Sequence, residues 1–282
     1  MTVAQLEVEG RFHEASHTIS YLIWDEGSRA AAIIDPVLDF NAASGEAGTA
    51  SVDVILDRVD GLGLTVVWSL ETHVHADHLS AARRVVERTG AKTVISGEVA
   101  KVQAHFGPRF GIEAKACDFD TLVGDGDRLP LGGLEIEVMA VPGHTPADVA
   151  YRIGDAVFVG DSLFMPDYGS ARCDFPGGSA RAMYGSIRKL LSLPAETRMF
   201  LCHDYKAPGR ERFAWETTVG AQRSGNVHVH DGVSEEAFVA LREARDATLD
   251  VPAMLLPALQ VNIRGGRVPD MLRLPVTWKP SP

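Results

Sequence analysis

Long apolar segments and targeting features are what this sequence most clearly lacks. No apolar run approaches the roughly 18–20 residues that are needed to cross a bilayer. The N-terminal stretch MTVAQLEVEG has neither a basic region nor an apolar core, so it does not resemble a secretory signal. We therefore predict a cytoplasmic protein that is not attached to a membrane.

Cysteine is also scarce. The chain has three cysteines, Cys117, Cys173 and Cys202, and no CxxC pair. An odd number without paired spacing argues against a disulfide framework and favours reduced thiols in a reducing compartment. The same scarcity argues against a structural zinc site made of cysteines.

Positive charge is in the minority. The chain has 27 Lys and Arg residues against 38 Asp and Glu residues, which gives a formal net charge of −11. A surface of this charge repels nucleic acid and anionic membranes, so neither is expected as a partner. An anionic small molecule would need a local cluster of Arg or Lys to bind.

What the chain does contain is a steady alternation of strand and helix patterns. TISYLIW and AAAIIDP are β-rich runs with a turn between them, and VAYRIGDAVFVGD repeats this pattern, so both are predicted to be hairpins. We predict a single mixed α/β domain over residues 1–282, with two sheets inside and helices outside. Residues 41–50 are expected to form a loop, and the residues beyond Val251 an irregular C-terminal extension.

Side chains that bind metals collect where the predicted strands end. In chain order they are His73, His75, Asp77, His78, His144, Asp161 and His203. Strand-end loops are common places for catalytic groups. Imidazole and carboxylate ligands together suit zinc, iron or manganese, so the pattern predicts a metal site. The pair His228 and His230 is instead expected at the surface.

The number of ions stays open at this point. His73 and His75 are two residues apart, and an extended backbone would direct them to opposite sides. They share one ion only if the chain bends there. A helix that begins near Asp77 or His78 would supply such a bend.

Four motifs, THVHADH, PGHT, VGD and CHDY, together resemble the metallo-β-lactamase fold superfamily, and the resemblance reaches about Tyr205. It implies an αββα sandwich of two mixed β-sheets flanked by helices, with the metal site at one edge of the sheets. It also implies two metal positions. The first would be faced by His73, His75 and His144, the second by Asp77, His78 and His203, and Asp161 would lie between them.

Longer segments resemble the persulfide dioxygenase branch, close to bacterial β-lactamase-like hydrolases. They are ETHVHADHLSAA, VGDSLFMPDYGSARCDFPGG, FLCHDY and GRERFAWETTVGAQ. This branch implies one Fe(II) per chain held by His73, His144 and Asp161, a facial triad that leaves positions open. His75, Asp77, His78 and His203 would then orient these ligands and would not bind the iron themselves. The implied reaction oxidises glutathione persulfide, or a similar persulfide, with O₂ and water to sulfite and a thiol.

Glyoxalase II is the sister group in this resemblance, and it provides the alternative. It implies two ions, of zinc, iron or manganese, that hydrolyse a thioester or lactone. The sequence keeps every residue of both positions, so the motifs do not choose between one ion and two. A non-enzymatic sensor of thiols or metals is a third alternative.

The loop ARCDF, which follows Asp161 closely, supplies candidates for binding the substrate. Arg172 is expected to clamp a substrate carboxylate, with Asp174 beside it, unless the two form a structural ion pair. Tyr205 is expected either to contact substrate or to pack. Cys173 lies in the same loop, and a buried packing role is its alternative. A homodimer and a functional link to a rhodanese-like sulfurtransferase are further expectations.

Overall fold

The computed structural model describes residues 4–276 and contains fifteen strands and seven α-helices within that range. The strands are β1 (Leu6–His13), β2 (Thr18–Asp25), β3 (Ala30–Ile34), β4 (Val37–Asn41), β5 (Glu46–Gly48), β6 (Thr65–Leu70), β7 (Leu79–Ser80), β8 (Lys92–Ser96), β9 (Thr121–Val123), β10 (Arg128–Leu131), β11 (Leu134–Ala140), β12 (Val149–Ile153), β13 (Ala156–Phe158), β14 (Arg198–Phe200) and β15 (Glu216–Thr218). The helices are α1 (Ala50–Leu62), α2 (Ala82–Thr89), α3 (Val99–Phe110), α4 (Ala180–Leu190), α5 (Val219–Gly225), α6 (Glu235–Asp246) and α7 (Leu255–Asn262).

Two six-stranded sheets lie face to face. The first has the order β1-β2-β3-β6-β8-β9, antiparallel from β1 to β3 and parallel from β3 to β9. The second has the order β10-β11-β12-β13-β14-β15, in which only the β13–β14 pair is parallel. Both sheets are therefore mixed, as predicted, and both predicted hairpins, β2–β3 and β12–β13, are confirmed.

Strand β2 shows why the sheets pack on both faces. All eight of its residues are buried. Because successive side chains in a strand point to opposite faces, Tyr21 and Ile23 pack against the second sheet, whereas Leu22 and Trp24 pack against the helices. A continuous apolar run is the pattern expected of a strand that is covered on both sides.

Helices cover the outer face of each sheet. Helices α1, α2 and α7 pack on the first sheet, and helices α4, α5 and α6 pack on the second. The predicted αββα sandwich is thus confirmed. None of the helices in residues 4–276 is long and apolar enough to cross a membrane, and the longest, α1, has 13 residues.

Two segments differ from their predictions. Residues 41–50 are not simply a loop, because β5 pairs antiparallel with β4 across this turn. The segment beyond Val251 is not entirely irregular, because it contains α7, whose residues Ala258, Leu259 and Val261 are buried in the apolar core. A short helix at the end of a proline-rich stretch has little periodicity of its own, and tertiary packing stabilises it.

Candidate metal centre

The histidine cluster lies in an irregular loop, residues 71–78, that follows β6 at one edge of the sandwich. His73, His75 and His78 are buried. The next helix, α2, begins only at Ala82, so the prediction that a helix begins near Asp77 or His78 is wrong. The bend that brings the histidines together comes from the loop itself.

Glycines allow the other two strand ends to approach the cluster closely. Gly143 precedes His144, and a Cβ atom on it would lie 2.4 Å from the Cα of Met183 on α4. Gly160 precedes Asp161, has φ +52°, and would bring a Cβ atom to 2.8 Å from the Thr72 side chain. Both positions therefore need glycine because a larger residue would push the metal-binding side chains away.

The first group of potential ligands consists of His73, His144 and Asp161. One ligand atom from each lies within 4.8 Å of the others. Asp161 Oδ2 is 3.7 Å from His144 Nε2 and 4.0 Å from His73 Nε2. These three side chains come from the ends of β6, β11 and β13, and the fold alone brings them together.

The second group consists of His75, Asp77 and His78, with His203 beside them. The first three again lie within 4.8 Å of one another. His203 Nε2 is 3.5 Å from Asp77 Oδ2 and 3.4 Å from Asp161 Oδ1. Asp161 therefore lies between the groups, with one oxygen facing each.

Hydrogen bonds fix which ring nitrogens are free to bind a metal. His144 Nδ1 donates to the carbonyl of Arg172 at 2.7 Å, and His203 Nδ1 donates to the carbonyl of His17 at 3.2 Å. A carbonyl only accepts, so each Nδ1 carries a proton, and in the neutral ring each Nε2 then has a free lone pair. This tautomer is the one that a metal ligand requires.

His73 is oriented in the same way through Thr72. Thr72 Oγ1 donates to Asp35 Oδ2 at 2.8 Å and is 3.0 Å from His73 Nδ1, so the hydroxyl accepts the proton of the ring. Asp35 also lies 3.0 Å from His75 Nε2. Asp35 has φ +49°, an uncommon value for a residue other than glycine, and such strain often accompanies a functional site.

The donor set fits metal ions. The buried atoms His73 Nε2, His75 Nδ1, His78 Nε2, Asp161 Oδ1 and His203 Nε2 have no hydrogen-bond partner within the described chain. Leaving a buried polar atom unpaired costs about 1–3 kcal/mol. Metal ligation would satisfy all of these atoms, and a mixture of imidazole and carboxylate suits zinc, iron or manganese.

The pKa values of His73, His75 and Asp77 favour the protonation states that bind metal, whereas at His203 the carboxylates of Asp161 and Asp77 outweigh burial and raise the pKa. Burial, reinforced by neighbouring histidines, holds the pKa of His73 and of His75 well below the usual value, so both rings stay neutral. Burial alone would raise the pKa of Asp77, but His203 and His78 outweigh it and keep that pKa well below its usual value. Neutral imidazole and ionised carboxylate are the ligand forms.

A cavity of about 290 Å³ opens onto the first group. Its walls contain His144, Asp161, Arg172 and Tyr205, together with apolar residues such as Phe164. The ring of Tyr205 is stacked on that of His203, with 5.6 Å between their centroids. Of the four residues predicted to bind substrate, Arg172 and Tyr205 therefore face this cavity.

Arg172 is held in an ion pair. Its Nε and Nη2 donate to the Asp174 carboxylate at 2.6 and 2.7 Å, and its Nη1 donates to the carbonyl of Asp250 at 2.8 Å. The structural ion pair left open by the sequence is thus present. The bond to Asp250 holds the segment between α6 and α7 beside the cavity. Leu249 and Pro252 of this segment form part of the cavity wall.

Cys173 and Asp174 lie behind that wall and line a separate hollow. The Cys173 thiol is buried, and burial raises its pKa, which keeps it protonated and unreactive. Its backbone N–H donates to Asp246 Oδ2 at 2.8 Å. The geometry gives Cys173 a packing role and does not support a contact between Cys173 and substrate.

Sequence reasoning missed several residues around the site. Buried Arg242 pairs with Asp246, at 2.7 Å, and donates to the carbonyl of Ser170 at 2.9 Å. The i,i+4 spacing of Arg242 and Asp246 on a predicted helix was the available signal. His228, expected at the surface, is buried instead, and its Nδ1 accepts a hydrogen bond from Ser170 N at 3.0 Å.

Comparison with known proteins agrees with this geometry. The profile described as the metallo-beta-lactamase superfamily matches residues 15–203. A probable metallo-hydrolase of Burkholderia pseudomallei is 51% identical over 94% of this chain and 95% of its own length. The mitochondrial persulfide dioxygenase ETHE1 of Mus musculus is 30% identical over 90% of this chain and 87% of its own.

Among solved structures, the crystal structure of ETHE1 from Myxococcus xanthus superposes with a TM-score of 0.76. It is 34% identical in sequence, and the match covers 93% of this chain and 100% of that one. The family profile covers well over half of the chain and includes every side chain of both ligand groups. The chain therefore belongs to the metallo-beta-lactamase superfamily.

Proposed function

We propose that this metal-dependent enzyme hydrolyses a thioester or a lactone at a centre of two ions. The observation that carries the proposal is the position of Asp161, whose Oδ2 faces His144 and whose Oδ1 faces His203. A carboxylate placed in this way is suited to bridge two ions. The relative at 51% identity bears a hydrolase name, whereas the ETHE1 of Mus musculus is 30% identical, which supports hydrolysis over the dioxygenase reaction.

Each part of the centre has a task in this reaction. Bound ions would lower the pKa of a water molecule and polarise the substrate carbonyl. The hydrogen bonds from His144 to Arg172 O and from His203 to His17 O hold the two rings in place. Phe164, Ala171 and Leu249 give the cavity an apolar wall that shields the reacting group from bulk water.

A second candidate is the persulfide dioxygenase reaction, and the full-length match to the Myxococcus xanthus ETHE1 structure favours it. One Fe(II) would be held by His73, His144 and Asp161, which form the two-histidine, one-carboxylate set of non-haem iron oxygenases. A persulfide, O₂ and water would give a thiol, sulfite and two protons. His75, Asp77, His78 and His203 would then orient the ligands; His203, for example, lies 3.4 Å from Asp161 Oδ1.

One set of measurements separates the two candidates. Purified protein is analysed for zinc, iron and manganese, and then assayed with a glutathione thioester without O₂ and with glutathione persulfide in an oxygen electrode. Two ions per chain with thioester cleavage support the hydrolase. One iron per chain with persulfide-dependent oxygen uptake overturns it and supports the dioxygenase. Metal binding without either activity would support the sensor alternative.

The cavity also contains an unpaired positive charge. Of the three arginines in its walls, Arg172 pairs with Asp174 and Arg242 pairs with Asp246. Arg245 has no ion-pair partner among residues 4–276, and its guanidinium carbon lies 6.0 Å from the centre of the Tyr168 ring. Since both other guanidinium groups are occupied, Arg245 is the group available to an anionic part of the substrate.

The substitution Arg245→Gln tests this role. We expect it to raise KM for a substrate with a carboxylate by about ten- to a hundredfold, which corresponds to the loss of one hydrogen bond between charged groups, and to leave kcat nearly unchanged. A neutral ester of the same substrate should show no such effect. Arg109→Gln is the matched control, because Arg109 is exposed and lies over an aromatic ring, Phe106, away from the cavity. Equal KM values in wild type and Arg245→Gln would contradict the assignment.

A further inference from the structure

The last residue of α7 hydrogen-bonds to the metal-binding loop. Asn262 is buried, and its Nδ2 donates to the carbonyls of His75 and His78, both at 2.8 Å. Its Oδ1 accepts from Ser80 N at 2.8 Å. Every hydrogen-bonding group of this amide is thus used on one short segment that lies more than 180 residues away in sequence.

The rest of α7 packs on both sides of that segment. Leu259 lies in the apolar cluster that contains Val74 and Ala76, inside the loop. Val261 lies in the cluster that contains Leu79, directly after the loop. The helix therefore fixes the loop through apolar contacts on each side of the amide.

The first two residues of the loop are held by other bonds, because Glu71 N donates to Val94 O and Thr72 O accepts from Val149 N. Residues 73–78 belong to no helix or strand, and among the described residues the hydrogen bonds that their backbone makes are those to Asn262. The two carbonyls that Asn262 binds belong to residues whose side chains are potential ligands. A shift of the backbone at either carbonyl also moves the imidazole ring of the same histidine, and metal ligation depends on the position of that ring.

We propose that Asn262 is a positioning residue that sets the metal affinity of the centre by fixing the carbonyls of His75 and His78. The proposal rests on the metal centre of the proposed function but not on the choice of reaction. Asn262 is not a catalytic residue, because it lies behind the loop and is absent from the cavity wall. The C-terminal segment is then part of the metal site.

The same helix offers a matched control. Gln260 is also a buried amide that makes three hydrogen bonds, but Nε2 donates to the carbonyls of Leu256 and Arg273 and Oε1 accepts from Arg273 N. The two bonds to Arg273 tie α7 to the following chain, the bond to Leu256 lies within α7, and none of the three reaches the loop. Asn262→Asp and Gln260→Glu are isosteric changes that each replace an amide donor with a carboxylate oxygen.

The test is a competition titration of the metal-free proteins with zinc and a chromophoric chelator. We expect the zinc dissociation constant of Asn262→Asp to rise by about 10–100-fold, the usual effect of removing a group that orients a metal ligand. Gln260→Glu should bind zinc as the wild type does. Thermal unfolding of the metal-free proteins reports whether the two changes destabilise the fold to similar extents.

Two results would overturn the inference: zinc binding by Asn262→Asp that equals that of the wild type, or an equal loss in both variants. If Asn262→Asp does not fold, Asn262→Ala is titrated in its place with the same criteria, since it removes the donors without adding charge. Failure of the wild type itself to bind zinc, iron or manganese would instead contradict the proposed function. The two failures are therefore distinguishable.

Discussion

Asp161→Ala is expected to empty both metal positions and to lower turnover by at least about a thousandfold, because a metal ion lowers the pKa of bound water to about 7 and so supplies a nucleophile at neutral pH. Asp161 Oδ2 lies 3.7 Å from His144 Nε2, and Oδ1 lies 3.4 Å from His203 Nε2. No other carboxylate among the described residues faces both groups in this way. Its removal therefore takes one ligand from each position at once.

Metal analysis of the purified Asp161→Ala protein, beside both enzyme assays, provides the measurement. Asp155→Ala is a suitable control, because Asp155 is an exposed carboxylate that pairs with Arg198 at 3.0 Å. The control removes the same charge and is expected to keep its metal and activity. Wild-type metal content in Asp161→Ala would show that Asp161 is not a ligand, under either candidate reaction.

His203→Ala is the substitution that distinguishes the two reactions. His203 Nε2 faces Asp77 and Asp161 on the side of the second group. For a hydrolase with two ions, we expect the metal content to fall from about two ions to about one, and thioester cleavage to fall by about a hundredfold or more. For a dioxygenase with one iron, His73, His144 and Asp161 remain, so iron and part of the oxygen uptake are retained.

Its measurement is again the metal content per chain, together with initial rates in both assays. His230→Ala is the matched control, because His230 is an exposed histidine that belongs to neither ligand group. Its Nδ1 lies 2.8 Å from the carbonyl of Asp231. Complete loss of iron in His203→Ala would rule out a merely orienting role for His203. Unchanged metal content and unchanged thioester cleavage would rule out a second ion.

Local patterns account for the parts of the fold that were predicted correctly. Short β-rich runs with turns between them predicted the β2–β3 and β12–β13 hairpins, and both are present. The ends of predicted strands also indicated where His144, Asp161 and His203 would lie. These predictions succeed because strand periodicity and turn composition are properties of a few neighbouring residues.

Predictions failed where distant segments supply the stabilisation. Helix α7 was missed because its buried face is defined by contacts with residues 74–81 and with the first sheet, not by a pattern of its own. His228 was expected at the surface because nothing near it in sequence shows that Ser170 will donate to it. In place of the helix expected near Asp77 there is a loop, in which the carbonyls of His75 and His78 accept hydrogen bonds from Asn262.

The sequence by itself determined the residue types of the metal centre, their order along the chain, and the sandwich that presents them. Only the tertiary structure decided how these side chains divide into two groups, that Asp161 faces both, and that Arg172 is held by Asp174 and the Asp250 carbonyl. It also decided that the C-terminal helix supports the metal-binding loop. The physical reason is that residue type and periodicity are local, whereas ligand geometry depends on contacts between residues separated by up to 187 positions.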